Sequence, residues 1–243
     1  MSGHSKWSTI KRKKEKVDAQ RGKVFARLSR EITVAARMGG GDHETNSRLR
    51  LAISKAKEAN IPLENIQRAI QKGSGEIAGK QYEEIIYEGY GPGGAAIMCE
   101  AMTDNRNRMA GEIRFLFSRH GGSLGETGCV SWLFDKRGLL VVPKYKVKED
   151  ELLLLALEAG AEDVKVTEDT FEVISAPEDF EAVKKKLLAY NIPLIEADIT
   201  MIPKNTVSLP EAEADRLFRL LDALEEHDEV QEVYMNVDLD KSR

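Results

Sequence analysis

A chain of 243 residues, 42% of them apolar and 32% charged, with a formal net charge of −5, has apolar mass for two or three cores and is too rich in it for a disordered tail. No stretch approaches the roughly 20 consecutive apolar residues that a membrane-spanning helix needs. Two cysteines, Cys99 and Cys129, in no Cys-x-x-Cys pair, exclude a disulfide framework and fit a reducing, cytoplasmic setting.

The charge is unevenly divided. Residues 1–80 carry 18 Lys and Arg against 8 Asp and Glu, a balance of +10; residues 81–243 carry 18 against 33, or −15. The opening Gly3-His4-Ser5-Lys6-Trp7 leads into charge and is not expected to be a secretory signal, and Glu15 and Asp18 interrupt any transit-peptide pattern. The Lys11-Arg12-Lys13-Lys14 run follows. So much like charge costs self-repulsion, and phosphate neutralisation with counterion release is its commonest use. Trp7 is either an apolar staple on a bundle or a stacking surface for an unpaired base.

Helical periodicity then sets in. Lys23, Arg27, Arg30 and Arg37 share one face of a first helix, and Phe25, Leu28, Ile32 and Ala35 share the other. Gly39-Gly40-Gly41 ends it. A second helix is predicted over 46–59, with Leu49, Ala52, Ile53 and Ala56 inward and Arg48, Arg50, Lys55 and Lys57 on its flanks. A third starts at Pro62 and stops before Gly73. The expectation is a basic three-helix bundle over 1–79 with its cations on one outward surface.

Past Gly79 the pattern is mixed. Strands are predicted over 82–88 and 95–103, then a helix over 104–120 and a short strand through Trp132 and Phe134. Thr103 or Asp104 is the expected N-cap of that helix. Arg106 and Arg108 are not needed for a cap; with Arg114 and Arg119 they either extend the cationic surface or are plain solvated charge. Next come a strand (138–143), helix (148–159), two strands (163–168, 170–175), helix (178–190) and strand (194–202), the ferredoxin-like order. A last helix (210–226) and strand (229–237) have no sheet of their own. The fold class expected is therefore multidomain α+β: the bundle, then a discontinuous α+β domain (80–135 plus 204–243) interrupted by an inserted ferredoxin-like domain (136–203).

Two glycine motifs invite an enzyme reading. Gly89-Tyr90-Gly91-Pro92-Gly93-Gly94 matches the dinucleotide fingerprint, but a strand, not a helix, is expected after it. Gly121-Gly122-Ser123-Leu124-Gly125 matches the hydrolase elbow in reversed structural order. The four histidines, at 4, 43, 120 and 227, give no ligand spacing for a metal. No catalytic residue, metal, cofactor or small-molecule substrate is expected.

Gly3-His4-Ser5-Lys6-Trp7, the span Arg21 to Arg37, Gly39 to Asp42, Thr103 to Met109, Arg119-His120-Gly121-Gly122, Glu126-Thr127-Gly128 and Val230-Gln231-Glu232-Val233 together resemble the YebC/PmpR family. The resemblance spans essentially the whole chain. It implies a helical bundle followed by two α+β domains, one inserted in the other. Members are described as DNA-binding transcriptional regulators in some bacteria and as ribosome-associated translation factors in others and in mitochondria, where a translational activator of a cytochrome oxidase subunit belongs. Arg12 stands where histidine is common, His43 and Ser47 where prolines are common, and Cys129 where serine is common; the proline losses bear on the rigidity of the loop after Asp42.

The function expected is thus a non-enzymatic nucleic-acid-binding regulator of gene expression, its partner DNA or ribosomal RNA with the ribosome among the candidates. The expected contact residues are Lys6, Trp7, Lys11, Arg12, Lys13, Lys14, Lys23, Arg27, Arg30, Arg37, Arg48, Arg50, Arg106 and Arg108. A protein-binding adaptor is the alternative.

Overall fold

The computed structural model describes residues 21–238, so the calls on Lys6, Trp7, Lys11, Arg12, Lys13 and Lys14 lie outside the described residues. Three helices come first, α1 (Arg21–Gly39), α2 (Ser47–Glu58) and α3 (Leu63–Ser74). They close on Ile32, Ala35, Leu49, Ala52, Ala56, Ile66 and Ala69. The α1–α2 loop is held by Asn46, whose side chain accepts from Leu49 N (3.0 Å) as the N-cap of α2 and donates to the Ala35 and Gly40 carbonyls (2.8 Å each). Arg50 donates to the His43 and Glu44 carbonyls (3.0 Å each). Hydrogen bonds thus fix a loop that lacks its expected prolines.

Gly73 does not end α3 but lies buried within it, and the left-handed cap is Gly75 (φ 82°). The reason is the crossing of α3 over α1: a Cβ at Gly73 would fall on the Thr33 carbonyl oxygen and 2.7 Å from Ala36 Cβ. Only glycine lets the two backbones approach so closely.

The first sheet has the order β3-β1-β2-β8, antiparallel throughout, from β1 (Glu83–Tyr90), β2 (Ala96–Thr103), β3 (Ser123–Leu124) and β8 (Val230–Met235). Helices α4 (Arg106–Arg119) and α7 (Glu211–Glu226) cover one face through Met109, Ile113, Phe117, Leu217, Leu220 and Leu224. On the other face Met98 and Tyr234 pack with Val130 and Phe134. Asn105, not Thr103 or Asp104, caps α4 by accepting from Arg108 N (3.1 Å). Thr103 Oγ1 is spent accepting from Asn105 N (3.0 Å).

The second sheet, β5-β6-β4-β7, is also antiparallel and lies between the two stretches of chain that make the first. Its strands are β4 (Phe134–Pro143), β5 (Ala161–Val166), β6 (Thr170–Ser175) and β7 (Glu196–Pro203); α5 (Glu149–Glu158) and α6 (Phe180–Ala189) cover one face. Strand–helix–strand, taken twice in this order, is the ferredoxin-like arrangement. The short strand expected through Trp132 and Phe134 is instead a 3-10 turn (Ser131–Leu133) running into β4, because Phe134 already pairs with Pro203 across the ladder.

One buried carboxylate ties the linking loop to the first sheet. Glu88, 3% exposed, accepts from the backbone N–H groups of Gly128 (2.7 Å), Val130 (2.9 Å) and Ser131 (2.7 Å). Burial pushes its pKa up, but the three donors outweigh it and hold the carboxyl below the usual range.

Gly73→Ala should cost about 1–3 kcal/mol through forced separation of α1 and α3; urea denaturation monitored by circular dichroism measures it, and an unchanged midpoint would contradict the close crossing.

Candidate nucleic-acid interface

The cations of α1 point at the protein's own carbonyls. Lys23 Nζ donates to the Glu226 carbonyl (2.8 Å), Arg27 to the Glu225 carbonyl and Arg30 to the Asp228 carbonyl. These carbonyls lie at the C-terminal end of α7 and just beyond it, where the helix dipole concentrates negative charge. Gln231, its amide turned to satisfy both ends, donates to the Arg27 carbonyl and accepts from Arg30 Nη1 (3.2 Å each). The outward stripe expected for Lys23, Arg27 and Arg30 is therefore corrected: these side chains face α7 because its carbonyl end, the negative pole of the helix, accepts their hydrogen bonds.

The same strategy runs along the bundle. Arg37 donates to the Tyr82 carbonyl. Arg48 is clamped between Glu31 (2.7 and 3.1 Å) and Glu84 (3.0 Å to Oε2, with a second bond to Oε1). Glu84's hydrogen bonds raise its pKa further, against the cost of burial. Lys55 reaches Asp198 of β7 at 2.6 Å. Burial lowers the Lys55 pKa, but Asp198, Glu232 and Glu196 more than offset this and keep it raised. Burial and Glu232 hold the Asp198 carboxyl above its usual range despite Lys55. The two shifts pull the ion pair in opposite senses, and the lysine's is the one the close contact supports at neutral pH.

Like charges meet nearby. Glu100 of β2 stands directly opposite Glu232 of β8, with Tyr234 Oη donating to Glu100 at 3.3 Å. Burial first, and Glu232 second, raise the Glu100 pKa.

Arg106 and Arg108 sit at the first turn of α4. Arg106 is exposed. Arg108 binds both oxygens of Glu229 (2.9 and 2.7 Å) and Glu112 (3.1 Å). Glu112, His227 and Glu229 bring ligand atoms within 4.8 Å of one another, a grouping that sequence spacing could not reveal because α4 and the α7–β8 turn supply it from distant positions. Arg108 already supplies its positive charge. His227 Nδ1 accepts from Glu229 N (3.2 Å), which leaves Nε2 to donate to Glu112 (2.8 Å). A cleft of about 720 Å³ lined by Lys23, Arg30, Arg108 and His227 opens here between α1, α4 and the α7–β8 turn.

The two glycine motifs also have their geometry. Gly89 to Gly94 joins β1 to β2 through a 3-10 turn at Pro92–Gly94, and Ser123 lies in β3 opposite Tyr90. Among the described residues no helix is long and apolar enough to cross a membrane.

Residues 5–76 match the TACO1/YebC protein N-terminal domain, and residues 82–237 match the TACO1/YebC second and third domain. The chain belongs to the TACO1/YebC family. Within that family a protein of Pelotomaculum thermopropionicum, called "Probable transcriptional regulatory protein", is 63% identical over 99% of this chain and 100% of its own length. One of Carboxydothermus hydrogenoformans with the same name is 60% identical over 98% and 99%. The crystal structure of a conserved hypothetical protein from Aquifex aeolicus superposes with a TM-score of 0.81 at 52% identity, covering 92% of each chain. In this TACO1/YebC chain the Val230 to Val233 motif acquires a physical role, since Gln231 bonds to both Arg27 and Arg30.

Replacing Lys23, Arg27 and Arg30 together by Ala should free the bundle from α7 and enlarge the radius of gyration in small-angle scattering; an unchanged radius would show that apolar contacts alone hold it. For Glu100, the folded pKa lies above the unfolded one, so its favourable contribution is complete below the unfolded carboxylate pKa and is lost as pH rises through the folded pKa. Glu100→Gln should therefore raise the melting temperature at neutral pH, with the gain vanishing in acid, as calorimetry across pH will report.

Proposed function

We propose that this chain is a non-enzymatic, nucleic-acid-binding regulator of gene expression that acts in the cytoplasm on DNA or ribosomal RNA, with the ribosome as a candidate assembly. The observation that carries this reading is the charge division, +10 over residues 1–80 against −15 over the remainder. Relatives named as transcriptional regulatory proteins support it. Within that reading the described cations divide by the partners they already have. Lys23, Arg27, Arg30, Arg37, Arg48 and Arg108 have partners within the protein, and the Lys11 to Lys14 run, with Lys6, holds the densest basic charge of the sequence. Arg106 is exposed, as is Arg50 although it also donates to the His43 and Glu44 carbonyls, and both belong to the proposed surface. Sequence-blind phosphate contact of this kind suits duplex DNA and structured RNA alike.

A specific observation favours the adaptor reading as a second possibility. Leu153, Leu154 and Leu157 form an exposed stripe on α5, flanked by Glu149, Asp150, Glu151 and Glu158. Such a face suits a basic protein segment better than a phosphate chain.

Reversing Lys11, Arg12, Lys13 and Lys14 to Glu alters none of the three residues that bond to the α7 end, Lys23, Arg27 and Arg30. It should lower the slope of log affinity against log salt by about 3–4 if each contacts one phosphate of a duplex. Fluorescence anisotropy with labelled duplex DNA and ribosomal RNA fragments measures this, and equal slopes for the two proteins would refute phosphate contact there. Crosslinking in cells followed by sequencing of the attached nucleic acid separates promoter DNA from ribosomal RNA.

A further inference from the structure

Tyr90, the last residue of β1, and Trp132, in the 3-10 turn before β4, stand in solvent at 41% and 64% exposure. Tyrosine and tryptophan ordinarily bury the ring and leave the polar tip wet. Here the order is inverted. Tyr90 Oη donates to the Cys129 carbonyl at 3.2 Å, and Trp132 Nε1 donates to the same oxygen at 3.1 Å. Both polar tips are tied inward to one acceptor, which has two lone pairs to receive them, and the rings are left facing water.

The acceptor is itself fixed. Cys129 lies in the loop whose Gly128, Val130 and Ser131 N–H groups converge on the buried Glu88 carboxylate, and Gly125 N donates to the Glu88 carbonyl at 2.8 Å. The rings are thus set before any ligand arrives, so little rotamer freedom is lost on stacking. The exposed chain positions near Cys129, namely Gly125, Glu126, Thr127 and Gly128, carry no large apolar side chain, while Leu153, Leu154 and Leu157 lie exposed on α5 beside the other sheet. Flat, rigid, exposed aromatic faces suit the π-face of a base better than a protein side chain seeking a pocket.

We propose that Tyr90 and Trp132 form a stacking platform for unpaired nucleobases, a contact different in kind from phosphate neutralisation by lysine and arginine. The proposal rests on the nucleic-acid reading above and adds to it a preference for single-stranded or splayed nucleotides, in RNA or in DNA. Duplex with fully stacked bases offers the platform nothing.

The chain has two tryptophans, so Trp7→Phe leaves Trp132 as the sole indole reporter. A short oligoadenylate, as RNA and as DNA, and a blunt duplex of matched sequence are titrated by intrinsic fluorescence and, labelled, by anisotropy. Both single strands should quench Trp132, the duplex should not, and quenching by RNA alone would assign the platform to RNA. Trp132→Ala in the same background should weaken single-strand binding about tenfold, within the range of stacking on one aromatic, without changing duplex affinity; Trp132→Phe should retain most of the binding. A melting curve verifies that the exposed substitution leaves the fold intact. Single-strand binding by anisotropy with no quenching, and with Trp132→Ala unchanged, overturns the platform while the nucleic-acid reading survives. No binding of any oligonucleotide removes both.

Discussion

Three long cations from one helix meeting the carbonyl end of another determine how this molecule is put together. Lys23, Arg27 and Arg30 donate to carbonyls at the end of α7 and approach where the helix dipole is negative. Each such contact at a partly exposed site is worth little by itself, roughly 0–1 kcal/mol. Their collinearity matters more than their strength. With α1 laid against α7, Arg37 falls on the Tyr82 carbonyl, Arg48 on Glu84 and Lys55 on Asp198, while Leu51 packs on the core of the second sheet. One orientation of the bundle satisfies all of these together.

Formal charge therefore overstates what the bundle can offer a polyanion. Lys23, Arg27, Arg30, Arg37, Arg48, Lys55 and Lys80 all bond to acceptors beyond the bundle, in the two sheets or their helices. The acidity of the second part of the chain is in part the counterpart of this basicity. Around Lys55 the match is deliberate enough to tolerate Glu100 and Glu232 facing each other across a ladder.

The fold was largely legible because periodicity reports burial directly. Leu49, Ala52 and Ala56 face the core as their spacing predicts, and so do Ile113 and Phe117. What failed were inferences about partners. Spacing placed Lys23, Arg27 and Arg30 on one face of α1 but could not say whether that face meets water or the end of α7, some 200 residues on. Gly73 looked like a terminator because its role is a contact with Thr33 and Ala36, invisible in local sequence. Thr103 had the chemistry of a cap, yet Asn105 is the residue whose backbone is extended at the helix entrance. The Cys129 carbonyl that gathers Tyr90 and Trp132 is a backbone atom, and no residue type advertises it.

The placement of β8 has a consequence for synthesis. β2 is buried on both faces, and one of its edges stays open until Val230 to Met235 has been made. The carbonyls that receive Lys23, Arg27 and Arg30 belong to the same late stretch. A growing chain therefore carries α1 without these acceptors until residues 225–235 have been made, and that one stretch both closes the sheet edge and supplies the carbonyls.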